Sequence, residues 1–249
     1  MIWTFLRSLP SSLALLGLLV LPAGSAGVSP STLLSKEQSH EWRGVGRVNV
    51  AGTRRRSMCT GTLIAPDLVL TAAHCLTHPR TGQPYAPGNV HFVAGWHKGE
   101  STGHSKAEAL AIHPGWTGQK ATRLADLETD LALIRLANPL GPKSAAPFQI
   151  DRPPLPGDPL TLISYRRDRA HALTRQDDCP YRSIIGQMLV LDCPVTYGAS
   201  GSPIFFDEDG TQRVVAVLSA MGDNGAPQAY AVRADKTIEM LTNLLPDRR

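Results

Sequence analysis

Short strand-like runs, each cut off by Gly, Pro or Asn, recur along most of the chain. Val45–Val50 is the first, followed by Gly61–Ile64 and Leu68–Thr71 with Pro66 and Asp67 as the turn between them. Val90–Gly95, Ala107–Ile112 and Leu131–Leu136 complete the first half. The second half offers Pro159–Tyr165, Gln187–Leu191, Ser202–Phe206, Val214–Ser219 and Gln228–Val232. Many short strands with regular turn signals predict an all-β barrel or sandwich. Between Ala234 and Leu245 the period changes: Ile238, Leu241, Leu244 and Leu245 fall at helical spacing, which predicts a short C-terminal helix.

The two ends of the strand-rich region differ from it. Residues 1–26 carry Arg7, an apolar run from Leu13 to Leu21 and a small-residue stretch ending at Ala26, the pattern of a cleaved signal peptide. The apolar run is shorter than the ~20 residues that span a bilayer. Export to the periplasm or beyond the cell is therefore expected, with no stable membrane anchor once the signal is removed. Residues 27–41 read as an N-terminal segment or short propeptide. The proline-dense stretch 141–158 cannot donate to a sheet ladder and reads as a linker between an N-terminal barrel, 42–140, and a C-terminal barrel with its terminal helix, 159–249.

The net charge is +4, and only Arg54, Arg55 and Arg56 cluster tightly. A solvated hairpin tip explains that cluster better than a nucleic-acid surface, which wants a broad basic patch with aromatic platforms. Four cysteines all fall in the exported part, where disulfides are permitted. They allow three pairings, among which the sequence alone does not choose. They lack the Cys-x-x-Cys spacing of a zinc site. The acids Asp207, Glu208 and Asp209 lack a spaced calcium-ligand pattern and read as a turn. No metal and no other cofactor is expected.

Three segments carry chemistry. An apolar strand runs into Thr71-Ala72-Ala73-His74-Cys75; Asp130 heads the run Leu131-Ala132-Leu133-Ile134-Arg135-Leu136; and Ser200 lies in Gly198-Ala199-Ser200-Gly201-Ser202-Pro203. A serine hydroxyl is a weak nucleophile at neutral pH and needs an adjacent base, which in turn needs an orienting acid. His74 is the candidate base, Asp130 its partner and Ser200 the nucleophile. Glycines beside a nucleophile let the backbone turn sharply and bring amide groups toward a substrate.

Together these segments resemble trypsin-like serine peptidases, in the chain order His, Asp, Ser. The Gly-x-Ser-Gly-Ser-Pro form is similar to the bacterial branch that includes the V8-like glutamyl endopeptidases. The resemblance implies an all-β chymotrypsin-like fold of two six-stranded antiparallel β-barrels with a C-terminal α-helix. It implies a serine endopeptidase acting on protein or peptide substrates, a hydrolase without cofactor, and a monomer. It assigns the acid to Asp130 over Asp126 and Glu128, because only Asp130 directly precedes the strand. It implies an oxyanion hole from the amides of Gly198 and Ser200. It pairs Cys59 with Cys75, which leaves Cys179 with Cys193.

Departures from the family matter as well. Relatives that are activated by cleavage carry an aspartate before the serine; here it is Ala199, so that switch is expected to be absent. Relatives that cleave after Lys or Arg carry an aspartate where this chain has Pro194, and Glu-specific ones carry a histidine where it has Leu218. Ser219 matches the serine that supports the acid, and Met221 replaces a small residue at the pocket rim. With Thr196, Ala220 and Gln228, these residues predict an uncharged pocket for a small or apolar side chain. The competing reading is a protein of the same fold that has lost catalysis and kept binding.

Overall fold

The computed structural model describes residues 30–51, 57–118, 123–223 and 225–247. The expected signal peptide and the Arg54–Arg56 cluster lie outside them. The strands are β1 (Thr32–Leu33), β2 (Val45–Val50), β3 (Ser57–Ala65), β4 (Leu68–Thr71), β5 (Val90–Ala94), β6 (Gly103–Ile112), β7 (Ala132–Leu136) and β8 (Gln149–Ile150). They continue as β9 (Thr161–Ser164), β10 (Thr174–Gln176), β11 (Tyr181–Ile185), β12 (Met188–Leu191), β13 (Pro203–Glu208), β14 (Thr211–Asp223) and β15 (Pro227–Arg233). Two short helices complete the set, α1 (Leu124–Leu127) and α2 (Ile238–Asn243).

The first barrel closes in the order β2-β3-β4-β7-β6-β5. Alternation decides which face turns inward. On β6, Ser105, Ala107, Ala109 and Ala111 are buried while His104, Lys106 and Glu108 face water. On β5, Val90, Phe92 and Ala94 point inward. Burying every second side chain leaves the other face free to carry charge.

The second unit is a nine-stranded sheet running β1-β10-β9-β13-β14-β15-β12-β11, with β8 parallel to β14. Strands β10 and β11 sit at or near opposite ends of this path yet are consecutive in the chain. A bend at residues 177–180 carries the chain from one to the other. The bend has a local cause: Asp178 takes a positive φ of 53°, and Pro180 has no N–H to give. Both sides stay tied. The Cys179 amide donates to Leu160 O at 3.0 Å, and Pro180 O accepts from the Asp192 amide at 3.0 Å. A disulfide from Cys179 to Cys193 holds the same bend to the end of β12.

Two attachments to this sheet carry no signal in the sequence. Strand β1 comes from residues 27–41, expected to be an N-terminal segment or short propeptide, and it pairs with β10, Thr32 opposite Arg175 and Leu33 opposite Thr174. Strand β8 falls inside the proline-dense stretch.

The seam between the barrels is aromatic. Trp42, fully enclosed at 1% exposure, has its ring centroid 5.0 Å from Phe205 of β13 and 6.0 Å from Phe148. Phe148 meets Phe205 edge-on at 4.7 Å. Helix α2 follows the last strand of the second unit but packs on β6 and β7 of the first, with Leu241 buried. Removing the indole at the seam leaves a large cavity. Trp42→Ala should cost about 3–5 kcal/mol of folding stability, read as a lowered urea midpoint with unchanged slope.

Candidate active site

His74 sits in a single 3₁₀ turn, Ala73–Cys75, where β4 leaves the first barrel. The disulfide from Cys75 to Cys59 of β3 anchors this turn, with the two Cα atoms 6.1 Å apart. Asp130 follows α1 and precedes β7, and its amide donates to Leu127 O at 2.9 Å. The carboxylate is 1% exposed. One oxygen accepts the backbone N–H of His74 at 2.8 Å, and the other lies 2.7 Å from His74 Nδ1. That second oxygen also accepts the hydroxyl of Ser219 from β14. The two acids that compete with Asp130 in the sequence are engaged elsewhere. Asp126 accepts from the amide of Arg123 at 3.0 Å, and Glu128 from the amide of Gln187 at 3.2 Å.

Two opposing effects act on the His74 imidazole. Burial pushes its pKa down. The charge of Asp130 and the hydrogen bond to it push up, and the net shift is upward from the usual histidine value. Burial is the largest single effect, and the charge of Asp130 and its hydrogen bond outweigh it only together.

Ser200 occupies a turn held open by glycines. Gly198 has φ +93° and Gly201 φ +77°, conformations that residues with a Cβ rarely adopt. Space is missing too: a Cβ on Gly201 would sit 2.3 Å from both Thr60 O and Thr71 Oγ1. The carbonyls of this turn are all occupied. Tyr197 O accepts from the Arg167 amide at 2.8 Å, Ala199 O from the Ser202 amide at 3.0 Å, and Ser200 O from the Thr60 amide at 2.9 Å. Among the described residues, no backbone carbonyl accepts from the amides of Gly198 and Ser200. Each of those two N–H groups shares a peptide plane with a pinned carbonyl, Tyr197 O or Ala199 O, and points the opposite way. Among the described residues, the turn therefore keeps two amide donors without a backbone acceptor.

Two hollows meet at Ser219, Ala220 and Met221. A cavity of about 180 Å³ beside Ser200 is lined by Val195, Thr196, Tyr197, Leu218, Ser219, Ala220 and Met221. No charged side chain lines it. Pro194 and Gln228, expected at the pocket, are not among the residues that line it. A second hollow of about 500 Å³, on the far side of Ser219, is walled by His74, Thr77, Trp116, Leu127 and Met221. Nothing in the sequence marks Trp116, Thr77 or Leu127 for the site, because they reach it from separate parts of the chain, Leu127 from the end of α1. Among the described residues, no hydrogen bond joins Ser200 Oγ to His74; Nε2 lies 3.7 Å from Cys75 Sγ instead. Ligand atoms of Cys59, His74 and Cys75 lie within 4.8 Å of one another, but both sulfurs are spent in the disulfide.

A family model described as the trypsin-like peptidase domain matches residues 59–217, a span that includes His74, Asp130 and Ser200. The chain belongs to the trypsin-like peptidase family. Serine protease 23 from Bos taurus is 26% identical over 203 residues, covering 70% of this chain and 52% of that protein. The cercarial protease of Schistosoma mansoni is 26% identical over 193 residues, covering 70% of this chain and 66% of that one. The chain thus spans about half the length of the mammalian relative. In fold it is similar to a Glu endopeptidase, with a TM-score of 0.71 at 19% identity, covering 87% of this chain and 96% of that one. A thermostable serine protease, AL20, from an extremophilic microorganism gives a TM-score of 0.62 at 19% identity over 77% of this chain and 91% of its own.

Strain and crowding at Gly201 predict the effect of filling it. Gly201→Ala should cost about 1–3 kcal/mol, seen as a lower melting temperature.

Proposed function

We propose that this peptidase-family chain is an exported serine endopeptidase that hydrolyses peptide bonds through an acyl-enzyme on Ser200. The observation that carries the reading is the two-point hold of Asp130 on His74, through the backbone N–H and Nδ1. With Nδ1–H given to the carboxylate, Nε2 is left as the basic nitrogen. As Ser200 Oγ attacks the scissile carbonyl carbon, Nε2 takes its proton. The carbonyl oxygen gains the negative charge and is received by the Gly198 and Ser200 amides. The imidazolium, stabilised by Asp130, then returns the proton to the leaving amine, and water repeats the cycle on the acyl-enzyme. Ser219 donates to the same Asp130 oxygen that meets His74 Nδ1.

The lack, among the described residues, of a hydrogen bond between Ser200 Oγ and His74 favours the rival reading of a binding protein without catalysis. Catalytic hydrogen bonds are often long before substrate arrives, so that lack alone does not exclude chemistry. The uncharged 180 Å³ cavity supports a small or apolar residue before the scissile bond. The Glu endopeptidase of similar fold is no guide to preference here, since no cation lines this pocket to meet a carboxylate. Two disulfides support an oxidising compartment, periplasmic or extracellular. Among the described residues, no helix is long and apolar enough to cross a membrane.

A fluorophosphonate probe should label the wild type and leave Ser200→Ala unlabelled; no labelling of either protein would refute the peptidase reading. The pH profile follows from the raised His74 pKa. Catalysis needs the neutral imidazole, so kcat/KM should climb with pH along a limb centred above the ordinary value of about 6.5. Asp130→Asn should lower kcat by roughly 10⁴-fold.

A further inference from the structure

The turn that carries Ser200 contains no charge of its own to lock it. Ala199, at its centre, is apolar and 1% exposed. The Tyr197–Gly198 peptide is held instead by one backbone hydrogen bond, from the Arg167 amide to Tyr197 O at 2.8 Å. Because the peptide is planar and trans, fixing that carbonyl fixes the Gly198 N–H on its opposite side. The orientation of this donor therefore depends on where the backbone of Arg166 and Arg167 lies. Contact there is close: a Cβ on Gly198 would meet Arg167 N at 2.6 Å and Arg166 C at 3.1 Å.

That backbone is clamped from the N-terminal side of the chain. The Arg166 guanidinium, mostly buried, makes a fork with Asp168 at 3.1 and 3.0 Å and spends its remaining nitrogen on Ser31 Oγ at 2.5 Å. Arg169 reaches Ser31 O at 3.2 Å. Ser31 is fixed in turn, because Thr32 and Leu33 pair with β10 and the Leu34 amide donates to Leu173 O at 2.8 Å. Leu34 itself is buried.

We propose that residues 31–34 form a clamp which, through Arg166, holds the Arg166–Arg169 turn against Tyr197 and so keeps the Gly198 N–H aimed at the oxyanion. Ser31 and Arg166 are then positioning residues, and the assignment rests on the peptidase reading above. It also redefines the N-terminal segment: residues 31–34 belong to the working form. Cutting beyond Leu34 would loosen the donor, while cutting before Ser31 would leave it in place.

The test uses the full chain as wild type, Ser31→Ala, Arg166→Gln and the double variant, with kcat and KM measured on one chromogenic peptide substrate. Losing alignment of one oxyanion donor, a group worth about 10²–10³ in rate, should lower kcat by roughly 10-fold in Arg166→Gln with KM within about threefold. Ser31→Ala should fall in the same direction by a smaller factor, and the double variant should be no slower than Arg166→Gln, because both act through one contact. A kcat for Arg166→Gln within about twofold of wild type, or independent effects that multiply in the double variant, would overturn the proposal. Should Arg166→Gln fail to fold, the Ser31→Ala split between kcat and KM decides in its place. Amide exchange across residues 196–202 gives a readout that needs no turnover. Faster exchange there in Ser31→Ala, with exchange around His74 unchanged, supports the clamp even if the wild type proves inactive; unchanged exchange refutes it. An inactive wild type with a working clamp would sink only the peptidase reading.

Discussion

A carboxylate buried to 1% exposure can stay charged only if hydrogen-bond donors surround it, and the candidate site is organised around meeting that demand at Asp130. Three donors do so: the His74 amide, His74 Nδ1 and the Ser219 hydroxyl. They come from both barrels. The first two fix the imidazole in position and tautomer, so the same bonds that satisfy a buried charge also orient a base. The third draws β14, and with it the wall shared by the two hollows, against the first barrel. Removing any one donor would leave the carboxylate short of a partner, a far larger penalty than the loss of one exposed bond.

A second constraint works by geometry rather than charge. A peptide plane has two ends, and the turn around Ser200 uses this twice. Arg167 pins Tyr197 O and Ser202 pins Ala199 O, so the Gly198 and Ser200 amides each face away from a held carbonyl, with no backbone acceptor of their own among the described residues. Thr60 adds the hold on Ser200 O from the first barrel. Positive φ at Gly198 and Gly201 makes this path of the chain affordable only for glycine.

How far the sequence revealed all this depended on whether information was local. Strands such as β2, β4 and β5 announce themselves by apolar runs and flanking turns. Strands β1 and β8 do not, because two residues carry no period; only their partners β10 and β14 make them strands. Strands β10 and β11 carry no such signal, since the bend at Asp178 and Pro180 between them reads as a loop. At the site, His74, Asp130 and Ser200 stand in distinctive local segments, and the structure brings His74 and Asp130 into direct contact. Pro194 and Gln228 were expected at the pocket by analogy with the family, and neither is among the residues that line the cavity beside Ser200. Trp116, Thr77, Ser31 and Arg166 matter only through neighbours far off in sequence, and no pattern in one chain encodes that.

The proposed chemistry asks the seam between the barrels to be rigid. His74 and Asp130 ride on the first barrel, Ser200 and Ser219 on the second, so any sliding of one barrel on the other changes the distance over which a proton must pass. A misplacement of ~1 Å in such a geometry can cost about 10²-fold in rate. The seam resists sliding through contacts of different kinds. Trp42, Phe148 and Phe205 interlock as rings. The Thr60 amide and Ser200 O bond across it, as do Glu128 and the Gln187 amide. Helix α2 crosses from the second unit to lie on β6 and β7. Dispersion packing tolerates small tilts that directional hydrogen bonds do not, while hydrogen bonds alone would open to water without the packing. Each kind of contact limits the motion that the other leaves free, which lets one site be assembled from two barrels.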